Sequence, residues 1–426
     1  MSPRLSRPAA LPTVPQVAVI LAAVTYFLVR FGPHGIFFGA FHVDLDVYRI
    51  AARAWLRGQG LYGHLPPVKP GHSLPFTYPP IAAVLLAPLA LVPKLVAGAV
   101  LTLVTIALAG AVIRLFLPHR PWPGMAPARA LGWLLPAALF LEPVRSTLGF
   151  GQINVILMAM VAFDALLPAP RWPRGALTGL AAAVKLTPAV FILFFLLRRD
   201  YRAAATAALS FAASTAAGFV LAGRDSVRYW TADVFQVGRV GNVPYSVNQS
   251  LQAVLARAGL SPEHPAGLAA WLALAALVLV VTGLGMRRAL AAAEPGLALC
   301  LNAFAGLLIS PISWTHHWVW CVPAILALAW PAGRSPARSR GARLPLAAAG
   351  LVVFAASPQR WFPYTQGREL HLALWQQAAV SSYVLFAALV LILAAAGLLT
   401  RERSAPSLGD LGDPQRDPAV AAVLLH

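Results

Sequence analysis

Residues 14–48, VPQVAVILAAVTYFLVRFGPHGIFFGAFHVDLDVY, join a long apolar run to a short stretch that carries two carboxylates. The apolar part, 14–32, is long enough to cross a bilayer, which takes roughly 20 residues of helix. No small-residue cleavage site follows within it, so we interpret it as a retained first span. Asp44 and Asp46 lie just beyond its membrane end. A membrane enzyme would hold a general base at such a water–lipid boundary.

The composition predicts an all-α, polytopic integral membrane protein. The chain has 426 residues, of which 59% are hydrophobic and 11% charged, and its mean hydropathy is +0.71. Apolar runs recur from end to end, and a chain in lipid must satisfy its backbone groups within helices, so we expect about 11 to 13 transmembrane or partly inserted helices. Cys300 and Cys321 lie in or near apolar segments and indicate buried small residues rather than a disulfide or a metal site.

The net charge of +19 is distributed in short basic clusters between apolar segments. This alternation is typical of the cytoplasmic loops of membrane proteins, whereas nucleic-acid binding needs one concentrated basic surface. We therefore expect membrane lipids as partners, and no nucleic acid. The clusters are Arg4/Arg7, Arg171/Arg174, Arg198/Arg199/Arg202, Arg287/Arg288, Arg334/Arg338/Arg340/Arg343 and Arg401/Arg403.

These clusters and the apolar runs predict one membrane domain over 14–400, with a cytoplasmic N-terminus at 1–13. Two long loops, 33–79 and 223–250, then fall on the non-cytoplasmic side. The polar tail at 401–426 is expected to be disordered and cytoplasmic. We find no internal repeat and no soluble domain.

Two elements are predicted to place polar groups at the membrane boundary. Residues 45–57 are expected to form an amphipathic helix lying on the membrane, with Asp44 as its N-cap, where the helix dipole favours an ionised carboxylate. Residues 175–198 are expected to form a hairpin of two short helices, broken at the KLTP sequence of 185–188 because proline disrupts a helix. Broken helices at membrane depth are tolerated where they line a cavity.

The segments between these two elements fix which turns share a side. Residues 81–93 are too short to cross, so 95–117 is the next full span. Residues 131–148 then return outward as one span and 153–168 go inward. The turn between the last two segments therefore faces the same side as the two long loops.

On this topology four polar stretches face the outer side, namely 44–48, 151–154, 223–250 and 310–317, and Lys185 points into the same half of the membrane. Their convergence predicts a cavity that opens to the outer leaflet. Such a set suits group transfer from a lipid-linked phosphate donor. A carboxylate would deprotonate the acceptor hydroxyl, and cations would stabilise the departing phosphate.

Each of these groups also has a structural interpretation. The two aspartates could solvate a loop, and Lys185 could extend to the interface, although a lysine at membrane depth is costly and favours a function. His316 and His317 could belong to an aromatic belt. At most one of them is expected to reach the cavity, because neighbours on a helix point to different faces.

Two further sets of residues have alternatives to a catalytic role. Gln152 and Asn154 could cap the following helix, and Arg49 could bind lipid headgroups. No metal is expected, since there is no HExxH motif and no cysteine cluster. We also expect no other cofactor.

Six motifs resemble glycosyltransferase family 87 in their order along the chain. They are DLDVYRIAARAWLRGQGLY at 44–62, LPFTYPPIAAVLLAPLAL at 74–91, GFGQINVILM at 149–158, AAVKLTPAVFILFFLLRRDYR at 182–202, NQSL at 248–251 and SPISWTHHWVW at 310–320. The resemblance covers about 15–400. Each motif is weak by itself, and the combination is specific.

The resemblance implies the multi-span α-helical fold of the C-type glycosyltransferase superfamily. It also implies a catalytic base in the first outer loop and a lipid-phosphate sugar donor taken from the outer leaflet. Asp44 matches the family pattern D-x-x-V-Y, and Asp46 is an additional carboxylate. Lys185 matches the Lys-Leu-Thr-Pro motif, and the family histidine is His316 or His317.

The function implied is an inverting membrane mannosyltransferase at the outer face of the plasma membrane. It would transfer mannose from polyprenyl-phosphate mannose to a glycolipid or lipoglycan acceptor through an α-1,2 linkage, with Asp44 as the base and Asp46 as the alternative. Two alternatives stay open: a different polyprenyl-phosphate-linked sugar, and a glycolipid transporter without chemistry. The expected substrate-binding residues are Tyr48, Arg49, Arg145, Gln152, Asn154, Lys185, Asn248, Gln249, His316 and His317.

Overall fold

A computed structural model of the protein describes residues 42–68, 73–118, 125–331, 337–362 and 367–400, without the side chains of 337–340. Over these ranges the chain is built mainly of helices and turns, and an antiparallel bridge joins Asn248 and Trp314. The all-α prediction is confirmed. The predicted first span and the predicted cytoplasmic tail lie outside the described residues.

The first part of the chain forms short helices around one long one. In chain order they are α1 (Val43–Leu56), α2 (Pro80–Leu85), α3 (Ala87–Leu91), α4 (Lys94–Phe116), α5 (Pro127–Phe140), α6 (Glu142–Phe150), α7 (Asn154–Leu166), α8 (Ala176–Val184), a 3₁₀ turn (Thr187–Phe191) and α9 (Ile192–Leu197).

Longer helices dominate the second part. They are α10 (Tyr201–Leu221), α11 (Gly223–Thr231), 3₁₀ turns at Asp233–Phe235 and Val237–Arg239, α12 (Leu251–Arg257), α13 (Pro265–Ala291), α14 (Pro295–Ile309), a 3₁₀ turn (Thr315–Trp320), α15 (Cys321–Ala329), α16 (Ala337–Ala356), 3₁₀ turns at Pro358–Arg360 and Arg368–His371, α17 (Leu374–Val380) and α18 (Ser382–Ala395).

Several helices are long and apolar enough to cross a bilayer. Within the described ranges these are α4, α10, α13 and the segment Gly341–Arg360. Two bent pairs qualify when each is taken as one span, α6 with α7 at 119° and α17 with α18 at 74°. The chain is therefore a membrane protein, and its remaining helices are shorter than a full crossing.

Packing between helices distant in sequence builds the body of the molecule. Helix α10 packs along α8, α13 packs against α14 and α18, and α15 packs against α16. Helix α6 lies along the 3₁₀ turn Thr315–Trp320. Proline occupies the first position of α2, α5, α13 and α14, where its missing N–H costs no hydrogen bond.

The predicted break before the KLTP proline is confirmed. Helix α8 ends at Val184, and Lys185 has an extended backbone with φ −149° and ψ 125°. The chain then continues as a 3₁₀ turn that contains Pro188. The break turns the lysine out of the helix and towards the polar interior of the fold.

Two local predictions are wrong. Asp44 is not the N-cap, because α1 begins at Val43 and His42 precedes it with a left-handed backbone. The predicted single span 131–148 is two helices that meet at Leu141. The segment predicted as the second long loop, 223–250, contains helix α11.

Helix α1 is also more buried than a helix on a membrane surface would be. Leu45, Tyr48, Ala51 and Ala52 have no exposed area, because α1 packs against α2, α3 and α6. Asp46 and Arg49 of this helix contact Lys94 and the carbonyl of Leu89, whereas Arg53 and Arg57 are exposed.

Candidate active site

The turn between α6 and α7 brings Gln152 to Asp44. Gly151 ends α6 with a left-handed backbone, φ 69° and ψ 41°, which glycine adopts without strain. A Cβ at this glycine would lie 2.9 Å from the Cβ of Leu45, so the turn approaches α1 closely. The backbone N–H of His42 donates to the carbonyl of Gly149 over 2.8 Å and fastens α1 to the same turn.

Gln152 is the centre of a hydrogen-bonded group around this carboxylate. Its Nε2 donates to Oδ2 of Asp44 over 2.8 Å. Its Oε1 accepts from the hydroxyl of Tyr48 at 2.9 Å and from that of Tyr78 at 3.1 Å. The two tyrosine hydroxyls lie 2.8 Å apart. Gln152 therefore holds the side chain of Asp44 in one orientation, and the two tyrosines hold Gln152 in turn.

Burial raises the pKa of Asp44 from 3.8 to about 6, and the hydrogen bond from Gln152 and the charge of Lys185 oppose that rise. A carboxylate with this pKa is ionised at neutral pH and is a stronger base than an exposed aspartate. General bases work best when their pKa lies close to the working pH.

Lys185 lies beside this carboxylate and is held from two sides. Its Nζ donates to Oδ1 of Asn154 over 2.9 Å and lies 3.2 Å from Nε2 of His317. It also lies 5.3 Å from the ring centroid of Tyr78. Burial and the nearby ammonium lower the pKa of His317, so the imidazole is neutral and can accept from the lysine. Two of the three ammonium donors are thus used.

The histidine turn is fixed through the carbonyl of His316. The side chains of Thr147 and Asn154 both donate to that oxygen, over 2.9 and 2.8 Å. The imidazole of His316 is 8% exposed, and its Nε2 has no hydrogen-bond partner among the described residues.

These groups share one cavity of about 350 Å³, within the range of small-molecule sites. Asp44, Gln152 and Lys185 line it together with both histidines. The expectation that at most one histidine reaches the cavity is therefore wrong. The segment is a 3₁₀ turn rather than an α-helix, so side-chain directions on an α-helix do not apply.

Some predicted site residues lie outside the lining of this cavity. Asp46 forms an ion pair with Lys94 at 2.5 Å. Arg49 donates to the carbonyl of Leu89 near the end of α3. Arg145 is half-buried on α6 and does not line the cavity. Of the two carboxylates, Asp44 therefore faces the cavity.

Asn248 and Gln249 contact backbone rather than the cavity. Asn248 accepts from the N–H of Ser313 at 2.9 Å and donates to the carbonyl of Pro311 at 3.2 Å. Gln249 donates to the carbonyl of Val380 at 2.6 Å. Asn248 thus fastens the segment before the histidine turn, and Gln249 fastens its own loop to the end of α17.

Sequence reasoning missed a buried glutamate beneath the histidine turn. Glu142 has no exposed area, and its Oε1 accepts from Thr315 at 2.8 Å and from Nη2 of Arg360 at 2.5 Å. Its Oε2 accepts from the hydroxyl of Tyr383 at 3.1 Å. A lone acidic residue between two apolar runs was the available signal, since such a residue is costly unless paired.

Sequence reasoning also missed part of the lining of the cavity. The lining includes Tyr62, Phe76, Asp233, Arg239 and Trp314. These residues come from two loops and the histidine segment, and no local pattern relates them. The polar composition of the second long loop was the one signal that pointed to part of this set.

Comparison with known proteins gives a consistent result. The profile of glycosyltransferase family 87 matches residues 76–311. A polyprenol-phosphate-mannose-dependent α-(1-2)-phosphatidylinositol mannoside mannosyltransferase of Mycobacterium tuberculosis is 42% identical over 86% of this chain and 87% of that protein. A second protein of Mycobacterium tuberculosis, described as acting on phosphatidylinositol pentamannoside, is 37% identical over 72% of this chain and 70% of its own length.

Among solved structures, ArnT from Cupriavidus metallidurans bound to undecaprenyl phosphate is similar to this chain with a TM-score of 0.41 and 17% sequence identity. The similarity covers 89% of this chain and 77% of ArnT.

Proposed function

Because the chain belongs to glycosyltransferase family 87, we propose that this membrane glycosyltransferase transfers mannose from a polyprenyl-phosphate donor to a mannosylated phosphatidylinositol lipid through an α-(1-2) linkage. The activities of the two mycobacterial relatives support this donor, acceptor and linkage. The observation that carries the proposal for this chain is the cavity that Asp44 shares with Lys185 and the histidine pair.

In this mechanism Asp44 is the general base. Its carboxylate takes the proton from a hydroxyl of the acceptor, and the hydroxyl oxygen attacks the anomeric carbon of the donor mannose. The bond from that carbon to the phosphate oxygen breaks, and polyprenyl phosphate leaves with the electron pair. A single displacement inverts the anomeric centre, so a β-linked donor gives an α-linked product.

Lys185 and the histidine pair stabilise the departing phosphate. One N–H of the ammonium is left after the contacts to Asn154 and His317, and it can bond a phosphate oxygen. The Nε2 of His316, which has no partner in the described part of the chain, can bond another. Positive charge fixed where negative charge develops lowers the barrier without reorganisation.

Tyr48 and Gln152 act as positioning residues in this mechanism. Gln152 donates to the carboxylate of Asp44, and Tyr48 donates to Gln152. In this mechanism both residues hold the base in place and do not bind the sugar. The basic clusters between the apolar segments have the positive-inside pattern of cytoplasmic loops. That pattern supports an active site at the outer face of the plasma membrane.

Asp44→Asn tests the base directly. With radiolabelled polyprenyl-phosphate mannose and a mannosylated phosphatidylinositol acceptor, we expect the transfer rate to fall by roughly 10²–10⁴-fold, the usual contribution of a general base. The measurement is label transferred to acceptor lipid in membranes that contain equal amounts of each variant.

Asp46→Asn is the matched control, since it removes a carboxylate two residues away that pairs with Lys94. We expect it to retain most of the activity. Loss of activity in Asp46→Asn with retention in Asp44→Asn would move the base to Asp46. Full activity in both variants would refute the mechanism. If another polyprenyl-phosphate sugar competes with the labelled donor and is transferred in place of mannose, the assignment of mannose as the donor sugar is wrong.

A further inference from the structure

Three oxygen atoms meet behind the carboxylate of Asp44. They are the hydroxyls of Tyr48 and Tyr78, which lie 2.8 Å apart, and Oε1 of Gln152, which lies 2.9 Å from the first hydroxyl and 3.1 Å from the second. Tyr48 has no exposed area, and Tyr78 is 7% exposed. Burial raises the pKa of both tyrosines, so both hydroxyls keep their protons. The three oxygens therefore share two protons.

These two protons favour one direction of the amide of Gln152. When one hydroxyl donates to the other, the second hydroxyl still has a proton that needs an acceptor. Oε1 of Gln152 lies within reach of both hydroxyls. If the amide were turned over, its NH2 group would face the tyrosines, and a buried hydroxyl proton would lose this acceptor, which is costly. The tyrosine pair therefore directs Oε1 towards itself and the NH2 group towards Asp44.

This direction of the amide favours the ionised form of Asp44. Nε2 of Gln152 donates to Oδ2 of Asp44 over 2.8 Å, and an ionised carboxylate accepts hydrogen bonds without donating any. The amide turned over would present its oxygen to Asp44, and only a protonated carboxyl group can donate to that oxygen. The direction of the amide and the protonation of Asp44 are therefore coupled.

The same amide distinguishes the two oxygens of the carboxylate. The hydrogen bond from Gln152 goes to Oδ2, and the side chain of Asp44 lines the cavity. Oδ1 is therefore the oxygen that remains for a proton from the substrate.

We propose that Tyr48 and Tyr78 act as one positioning unit, which fixes the amide of Gln152 so that Oδ1 of Asp44 takes the proton of the acceptor hydroxyl. This inference rests on the proposed function and gives Tyr78 a role in the reaction. The proton moves to Oδ1 as the hydroxyl oxygen bonds the anomeric carbon, and the departing phosphate takes the electron pair. Either tyrosine can hold the amide alone, because each hydroxyl lies within hydrogen-bond distance of Oε1.

Ionisable groups from several elements surround Asp44. The charge of Lys185 opposes the rise in the pKa of Asp44 that burial causes. His42, which precedes α1, has its pKa lowered to about 4 by burial, and Lys94 of α4 pairs with Asp46. The other ionisable groups of the cavity lining are Tyr48, Tyr62, Tyr78, Tyr229, Asp233, Arg239, His316 and His317. A change of tyrosine to phenylalanine leaves every charged group in place, so it isolates the hydroxyl.

The test is the pH–rate profile of the purified full chain in detergent, with saturating polyprenyl-phosphate mannose and a mannosylated phosphatidylinositol acceptor. Its acidic limb is the fall in kcat/KM as Asp44 becomes protonated. For Tyr48→Phe and for Tyr78→Phe alone, we expect this limb to move by less than about 0.3 pH unit. In the double variant the limb should move up by about one pH unit, the equivalent of one net hydrogen bond.

Tyr62→Phe is the matched control. The hydroxyl of Tyr62 donates to the backbone carbonyl of Tyr78 over 2.7 Å, and Tyr62 lines the same cavity. Its removal should leave the acidic limb at the wild-type pH, whatever the rate of the variant. In a Gln152→Leu background the double tyrosine change should move the limb no further, because the tyrosines act through Gln152.

An acidic limb at the wild-type pH in the double variant would overturn the inference, as would a further shift in the Gln152→Leu background. If the double variant does not fold, the single variants decide. Two unshifted limbs then support the shared role, and a shift of a full unit in either one refutes it. A wild type that transfers no mannose, or that lacks an acidic limb, contradicts the proposed function itself.

Discussion

At the scale of single residues, the environment of Asp44 determines how it behaves as a base. Burial makes its ionised form costly and raises its pKa to about 6. The hydrogen bond from Gln152 limits this rise, because it stabilises the ionised form. Gln152 therefore orients the carboxylate of Asp44. By lowering its pKa, Gln152 also extends to lower pH the range in which Asp44 is ionised and can act as a base.

The first prediction at this scale concerns pH. We expect kcat/KM of the wild type to fall about tenfold per unit as pH drops below about 6, where Asp44 becomes protonated. In Gln152→Leu the acidic limb should move to higher pH, because the hydrogen bond that lowers the pKa is lost. The measurement is a pH–rate profile of both proteins with saturating donor.

Two controls belong to this profile. The residual activity of Asp44→Asn should lack the acidic limb. Its stability should match or exceed that of the wild type at pH 7. The pKa of Asp44 is higher in the folded state than 3.8, so the wild type loses stability as pH rises from about 4 to about 6, and the asparagine variant does not. An unmoved limb in Gln152→Leu would contradict this assignment.

At the scale of elements, small residues allow α8 to lie directly on α10. A Cβ at Gly179 would lie 2.2 Å from the carbonyl oxygen of Ala207, which is backbone and cannot rotate away. Gly175, at the start of α8, has φ 98°, and a Cβ there would lie 2.0 Å from the carbonyl of Ala203. Helix α8 ends at Val184, directly before Lys185. This packing therefore also sets the position of the lysine.

We expect Gly179→Ala to destabilise the protein by roughly 1–3 kcal/mol, because overpacking forces the two helices apart. Transfer activity should fall as well, since Lys185 moves with α8. Gly283→Ala on α13 is the control, because no heavy atom lies within 4 Å of its Cβ position. Thermal unfolding in detergent measures both variants, and equal melting temperatures would contradict the packing argument.

At the scale of the whole molecule, Glu142 joins parts of the chain that are far apart in sequence. It lies at the start of α6 and contacts the histidine turn through Thr315, the segment after α16 through Arg360, and α18 through Tyr383. The same carboxylate therefore supports the turn that carries His317. A buried charge of this kind is tolerated only where it is fully paired.

Breaking a buried ion pair costs roughly 3–5 kcal/mol. We expect about half of that for Glu142→Gln with Arg360 left in place, because the side chain of Arg360 is 35% exposed. A double-mutant cycle of Glu142→Gln and Arg360→Gln, measured by unfolding in detergent, should give a coupling free energy of about 1 kcal/mol or more. Additive effects would refute the pairing, and Glu263→Gln on the surface should change little.

Local chemistry in the sequence determined the membrane class, the helical fold and the break at Lys185, because hydropathy and proline act within a few residues. It also proposed Asp44, Lys185 and the histidines, but left Asp46 as an alternative base. Only the tertiary structure decided which carboxylate faces the cavity. The contact from Gln152 to Asp44 spans 108 residues and that from Lys185 to His317 spans 132, and no local pattern encodes contacts at such separations.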